Sequence, residues 1–108
     1  YLVNTGWTGG AGGSKGSGSR FPIPVTRAVV TAITNGSLEG CATEHLDLLN
    51  LDIPVEIAGV DKAYLNPRNN WDNPADYDEQ ATKLAKLFVQ NITKFAPSAD
   101  IIDAGPKA

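Results

Sequence analysis

Three cations, Lys15, Arg20 and Arg27, fall within the first 36 residues of this 108-residue chain, and no acidic residue accompanies them. Guanidinium and ammonium groups recognise phosphate and carboxylate oxygens, and a guanidinium plane also stacks on a flat base. The rest of the chain carries six cations and twelve acids, so a +3 strip joins a −6 remainder to give the net −3. Fields are set locally, which makes the first segment a candidate anion site. Seven of the eleven glycines lie between Gly6 and Gly18, around Lys15. A phosphate-cradling loop, however, needs G-x-x-x-x-G-K-[ST] opening directly into a helix. Here Lys15 follows Ser14 and precedes Gly16, and the next helical pattern starts only near Thr26. The dinucleotide pattern G-x-G-x-x-G is absent as well. The run Gly12-Gly13-Ser14-Lys15-Gly16-Ser17-Gly18-Ser19 reads instead as a long, adaptable connection between two extended segments.

The other polar candidates each have a plain structural reading. Arg27, in the first turn of a helix, opposes the helix dipole unless it finds an anionic partner. Thr26 suits an N-cap, its hydroxyl satisfying a backbone donor. His45 stands alone before an apolar strand, without a ligand set at metal spacing. Cys41 has no basic neighbour in sequence to favour a thiolate. Asp76, Asp78 and Glu79 crowd the start of a helix, where acids complement its dipole. Arg68, within Leu65-Asn66-Pro67-Arg68, reads first as half of a turn-fixing ion pair. No complete catalytic constellation and no metal-binding set is encoded.

The elements that must position these groups follow from patterning. Tyr1 to Thr5 reads as a short buried strand running into the glycine loop. Arg20 to Val25 alternates, with Phe21, Ile23 and Val25 on one face. Pro22 and Pro24 confine it to an edge strand or an unpaired segment. Thr26 to Asn35 is predicted to be helical, with Val29, Val30 and Ile33 as its apolar face and Asn35-Gly36 as its stop. Leu49, Leu51, Ile53 and Val55 alternate with polar residues as a half-buried strand. Residues 59–73 read mostly as loop, punctuated by Asn66-Pro67 and Asn73-Pro74. Asn73 is then a strong N-cap, with Pro74 at the first helical position. From there Tyr77, Ala81, Leu84, Phe88, Ile92 and Phe95 recur at helical steps, to a stop at Pro97. A short helix from Ser98 to Ala104 closes the pattern. The expected architecture is α+β: a small mixed or antiparallel sheet, one long C-terminal helix and two shorter ones.

Composition narrows the class. A length of 108 residues suits one domain. No apolar run reaches the roughly 18–20 residues of a membrane-spanning helix, and no basic-plus-apolar leader is visible, so no membrane partner is expected. One cysteine gives no disulfide framework and suits a reducing, cytoplasmic setting. A pI near 4.9 argues against nucleic acid as a partner. The chain has no Met and starts at Tyr1 inside a strand-like run, from which a segment of a longer protein is expected.

Ordered matches across nearly the whole chain carry a resemblance. Leu2-Val3-Asn4-Thr5-Gly6-Trp7, a Gly-rich stretch, Gly18-x-Arg20 and Thr26-Arg27-Ala28 come first. Asn35-Gly36-Ser37-Leu38, Ile53-Pro54, Gly59-Val60 and Leu65-Asn66-Pro67-Arg68-Asn69 follow. Leu84-Ala85-Lys86-Leu87-Phe88 and Ala104-Gly105-Pro106-Lys107 complete the series. This order resembles the C-terminal part of ATP-dependent phosphoenolpyruvate carboxykinase. The resemblance implies a cytoplasmic enzyme of gluconeogenesis that turns oxaloacetate and ATP into phosphoenolpyruvate, ADP and carbon dioxide, with magnesium and manganese. It further implies that Arg20 and Phe21 match the Arg-plus-apolar pair that holds the nucleotide, and that Thr26 matches a threonine on the same ligand. Arg27 is assigned to positioning or an ion pair.

The family's P-loop, metal-binding Lys, His and Asp, and oxaloacetate-binding arginines lie upstream of such a segment, and the loop from Gly9 to Ser19 is richer in Gly and Ser than in several relatives. Phosphoryl transfer needs lysine, metal and P-loop together, so the chain alone is expected to be inactive. The whole chain then reads as a C-terminal segment of a nucleotide-binding domain. Within it, residues 1–36 hold the glycine loop and the nucleotide contacts, and 37–108 form an acidic strand and helix region. Its partners are ATP or ADP and the remainder of the parent enzyme. Alone it should bare apolar surface and be poorly stable. The alternative is a stand-alone nucleotide-binding or protein-interaction module.

Overall fold

A computed structural model describes residues 1–10 and 18–108 of the chain. Lys15 and most of the Gly/Ser run therefore lie outside the described residues. The described part is α+β, with two separate two-stranded antiparallel sheets in place of one. The first pairs β1 (Trp7–Thr8) with β2 (Ser19–Arg20), Trp7 opposite Arg20 and Thr8 opposite Ser19. The predicted strand over Tyr1–Thr5 does not form. Among the described residues no strand pairs with them, and Tyr1 and Leu2 are exposed.

Helix α1 (Ile23–Thr34) begins three residues earlier than its pattern predicts, so Arg20 to Val25 is not one extended segment. Pro22 is the N-cap and Pro24 sits in the first turn, where a missing N–H costs nothing because that turn has no intrahelical acceptor for it. The same two prolines that exclude a central strand thus open a helix. The Pro22 carbonyl accepts from the Val25 and Thr26 amides at 3.1 and 3.2 Å. Val25 and Ala32 are buried, whereas Val30, read as part of the apolar face, points outward. The helix stops as its sequence predicts. Gly36 takes φ +78°, its amide donating to Ile33 and that of Ser37 to Ala32, the paired bonds of a Schellman stop.

The second sheet pairs β3 (Thr43–Leu46) with β4 (Leu51–Pro54), His45 opposite Asp52. The first of these strands has no clear period in sequence, and the second is shorter than its alternation suggests, because Leu49 and Asn50 are spent in the turn. Single-turn helices at Lys62–Tyr64 and Pro67–Asn70 order the stretch read as loop. Helix α2 (Pro74–Ile92) starts where predicted, the Asn73 side chain accepting from the Ala75 amide at 3.0 Å. A further single turn, Thr93–Phe95, extends it, and α3 (Ala99–Ala104) follows after Pro97.

The core gathers Ala32, Leu38 and Ile57, with Val29, Ile33, Cys41, Val60 and Leu65 packed around them. Gly59, at φ +79°, passes close to α1, where an added Cβ would meet that of Ala28 at 3.7 Å. Ala81 and Ala85 of α2 are buried and Tyr77 meets Trp71 edge-on at 5.9 Å. Leu84, Phe88 and Phe95, from the same predicted stripe, are exposed.

Candidate functional site

Arg20, Phe21 and Thr26 lie along one strand-to-helix junction, where β2 leads into α1. Two-residue strands are marginal by themselves, and two further bonds hold the β1–β2 pair. The Phe21 amide donates to the Gly6 carbonyl at 3.0 Å, extending the pairing by one step. The Asn70 side-chain amide donates to the Thr8 hydroxyl at 2.6 Å, tying β1 to a turn 62 positions away. That turn is held in its turn, because Arg68 donates through Nε and Nη2 to both Asp78 oxygens at 2.9 and 3.1 Å. The Arg68 hydrogen bond keeps the Asp78 carboxyl below its ordinary value. Arg68 is thus the turn-fixing ion pair its sequence setting suggests.

From this junction the candidate residues diverge. Arg20 is exposed, its guanidinium carbon 5.7 Å from the centroid of the Trp7 ring. Phe21, next in the chain, turns inward and packs on Tyr64, with ring centroids 5.4 Å apart. Successive residues of an extended segment point to opposite sides, which separates the pair. Phe21 borders a cavity of about 340 Å³ that α1, the β3–β4 hairpin and residues 1–5 also line. Thr26 is half-buried inside the first turn of α1. The capping role open to it in sequence falls away, since Pro22 holds that position. Among the described residues no hydrogen bond or ring contact links the side chains of Arg20, Phe21 and Thr26 to one another. Arg27 is exposed on α1 and forms no ion pair among the described residues.

The remaining candidates take structural roles. His45 Nδ1 lies 2.7 Å from Asp52 Oδ1 across the hairpin, and that hydrogen bond raises the imidazole above its ordinary value. Cys41 packs against the core. Burial pushes the Tyr77 phenol up. Among the described residues no three His, Cys, Asp or Glu side chains converge as a metal site. Sequence reasoning missed Trp7 and Tyr64, the aromatic neighbours of Arg20 and Phe21.

The junction falls inside a stretch of sequence that matches a known family. The family model described as phosphoenolpyruvate carboxykinase matches residues 1–63, more than half of the chain. The chain belongs to the phosphoenolpyruvate carboxykinase family. Among curated relatives, it is 47% identical over 95 residues to phosphoenolpyruvate carboxykinase (ATP) of Campylobacter lari, an alignment covering 88% of this chain and 18% of the relative. To the protein of the same name from Thermus thermophilus it is 44% identical over 109 residues, 99% of this chain and 20% of the relative. To that of Cereibacter sphaeroides it is 45% identical over 108 residues, 100% and 19% respectively. The chain thus spans about a fifth of the length of these relatives.

Proposed function

We propose that this chain is the C-terminal segment of an ATP-dependent phosphoenolpyruvate carboxykinase and supplies part of its adenine-nucleotide site. The parent reaction converts oxaloacetate and ATP to phosphoenolpyruvate, ADP and carbon dioxide, in the cytoplasm. Arg20 presents its guanidinium plane or charge to the nucleotide, Phe21 offers apolar surface from the opposite, cavity-facing side of the same segment, and Thr26 offers a hydroxyl from the first turn of α1. The observation that carries this reading is the family match over residues 1–63, which includes all three residues. Magnesium and manganese serve the parent enzyme through ligands outside this segment, and the 108 residues alone do not turn over substrate. The described helices include none long and apolar enough to cross a membrane.

Calorimetric titration of ATP into the complete enzyme tests the site. Arg20→Ala is expected to weaken binding by about tenfold, the range of a charge-assisted contact of about 1.5 kcal/mol. Affinity unchanged by that substitution would overturn the assignment. Phosphoenolpyruvate formation by the isolated chain would overturn its reading as a non-catalytic segment. A second reading, a stand-alone interaction module, draws on the bare Leu87 and Phe88 surface of α2. Discovery of upstream coding sequence with a P-loop would remove it.

A further inference from the structure

We propose that Trp7 is the positioning residue for Arg20, holding one side of its guanidinium so that the other meets the nucleotide. This rests on the reading of Arg20 given above and adds to it the group that sets its geometry. Arginine side chains lose much rotamer freedom when fixed, so an exposed Arg binds well only if something has already restricted it. Arg20 is exposed and forms no ion pair among the described residues. What it has is the indole of Trp7, 5.7 Å away. The contact is set by the backbone, because Trp7 and Arg20 are directly opposed partners in the β1–β2 ladder and opposed side chains share one face of the sheet. Trp7 is 51% exposed, which leaves ring surface open beside the guanidinium. The ladder is short, and the Asn70 bond to Thr8, the residue beside Trp7, anchors β1 to a distant turn. Trp7 is thereby fixed from behind while its face stays open.

The test uses the complete enzyme in a background where every other tryptophan, Trp71 included, is replaced by Phe, so that Trp7 emission can be followed. Trp7→Leu is expected to raise KM for ATP about threefold, the scale of an exposed cation–π contact, with kcat within twofold and an unchanged melting temperature. Trp7→Tyr restores KM, since a second aromatic face does the same work. ATP is expected to shift Trp7 emission, and Arg20→Ala to abolish that shift. In a double-mutant cycle, Trp7→Leu adds nothing once Arg20 is Ala. Full additivity, or an equal loss in Trp7→Tyr and Trp7→Leu, would overturn the positioning role while leaving Arg20 as a ligand contact. An Arg20→Ala enzyme with unaltered KM for ATP would overturn the underlying reading as well.

Discussion

Helices α1 and α2 carry similar apolar stripes and meet opposite fates. The inner face of α1 ends in a covered core, where Ala32, Leu38 and Ile57 close on one another and its final turn is sealed by Gly36. Helix α2 is covered only through its middle, where Ala81 and Ala85 are buried, while Phe88 is 52% exposed and Phe95, in the turn that follows the helix, 70%. Periodicity states which face of a helix seeks burial, but not whether the covering atoms belong to the same chain. For α1 they do. The bare part of α2, with Ile101 and Ile102 of α3 also exposed, is the apolar surface expected of a segment that spans about a fifth of its relatives.

Matched truncations give the largest expected contrast. In the 108-residue chain, Leu38→Ala should cost about 2–3 kcal/mol by urea unfolding, as for other buried leucines. Phe88→Ala should stay within about 0.5 kcal/mol, as exposed sites do. In the complete enzyme Phe88→Ala should approach the cost of a core truncation. An equal loss for the two variants in the isolated chain would erase the distinction.

The helix ends give a smaller contrast. Gly36 ends α1 at φ +78°, whereas Ala96 takes φ +43° after α2. A Cβ in the left-handed region costs roughly 1–2 kcal/mol. Gly36→Ala should therefore destabilise by about 1 kcal/mol. Ala96→Gly should stabilise by about 0.5 kcal/mol, glycine's added chain entropy offsetting part of the gain. Thermal melts of the pair check both signs.

The smallest effects are those of the exposed ion pairs, and they run in opposite directions with pH. His45 is raised above its ordinary 6.5 by its hydrogen bond to Asp52, so its stabilising contribution is full below 6.5 and fades as pH rises through the folded value. Asp78 is lowered below its ordinary 3.8 by Arg68, so its contribution is present above 3.8 and fades as pH falls through the folded value. His45 is the single histidine, and its NMR titration should return toward 6.5 in Asp52→Asn. A midpoint that does not move in that variant would dismiss the cross-strand bond.

Where local chemistry decides, the sequence is readable. Asn73-Pro74 starts α2 and Asn35-Gly36 ends α1 because each cap is complete within a few residues. The Phe21–Val25 stretch misleads because alternation and two prolines suit both an edge strand and a helix opening, and only packing of Val25 selects the helix. Thr43–Leu46 is hidden because its pairing is supplied by a strand across the turn. At the candidate site Arg20 stands out by type, in a segment without acids. Trp7 and Tyr64 do not, since their contacts join residues 13 and 43 positions apart that no local pattern connects.

Asn50 sits at φ +55° in the β3–β4 turn and its side chain donates to the carbonyls of Asp103 and Ala104 at 3.0 and 3.1 Å. The Lys107 amide adds a bond to Leu48 at 2.9 Å. A helix of six residues is too short to persist unaided, so α3 has no independent lifetime. The turn thereby lends the short helix its footing, through one side chain and one backbone bond.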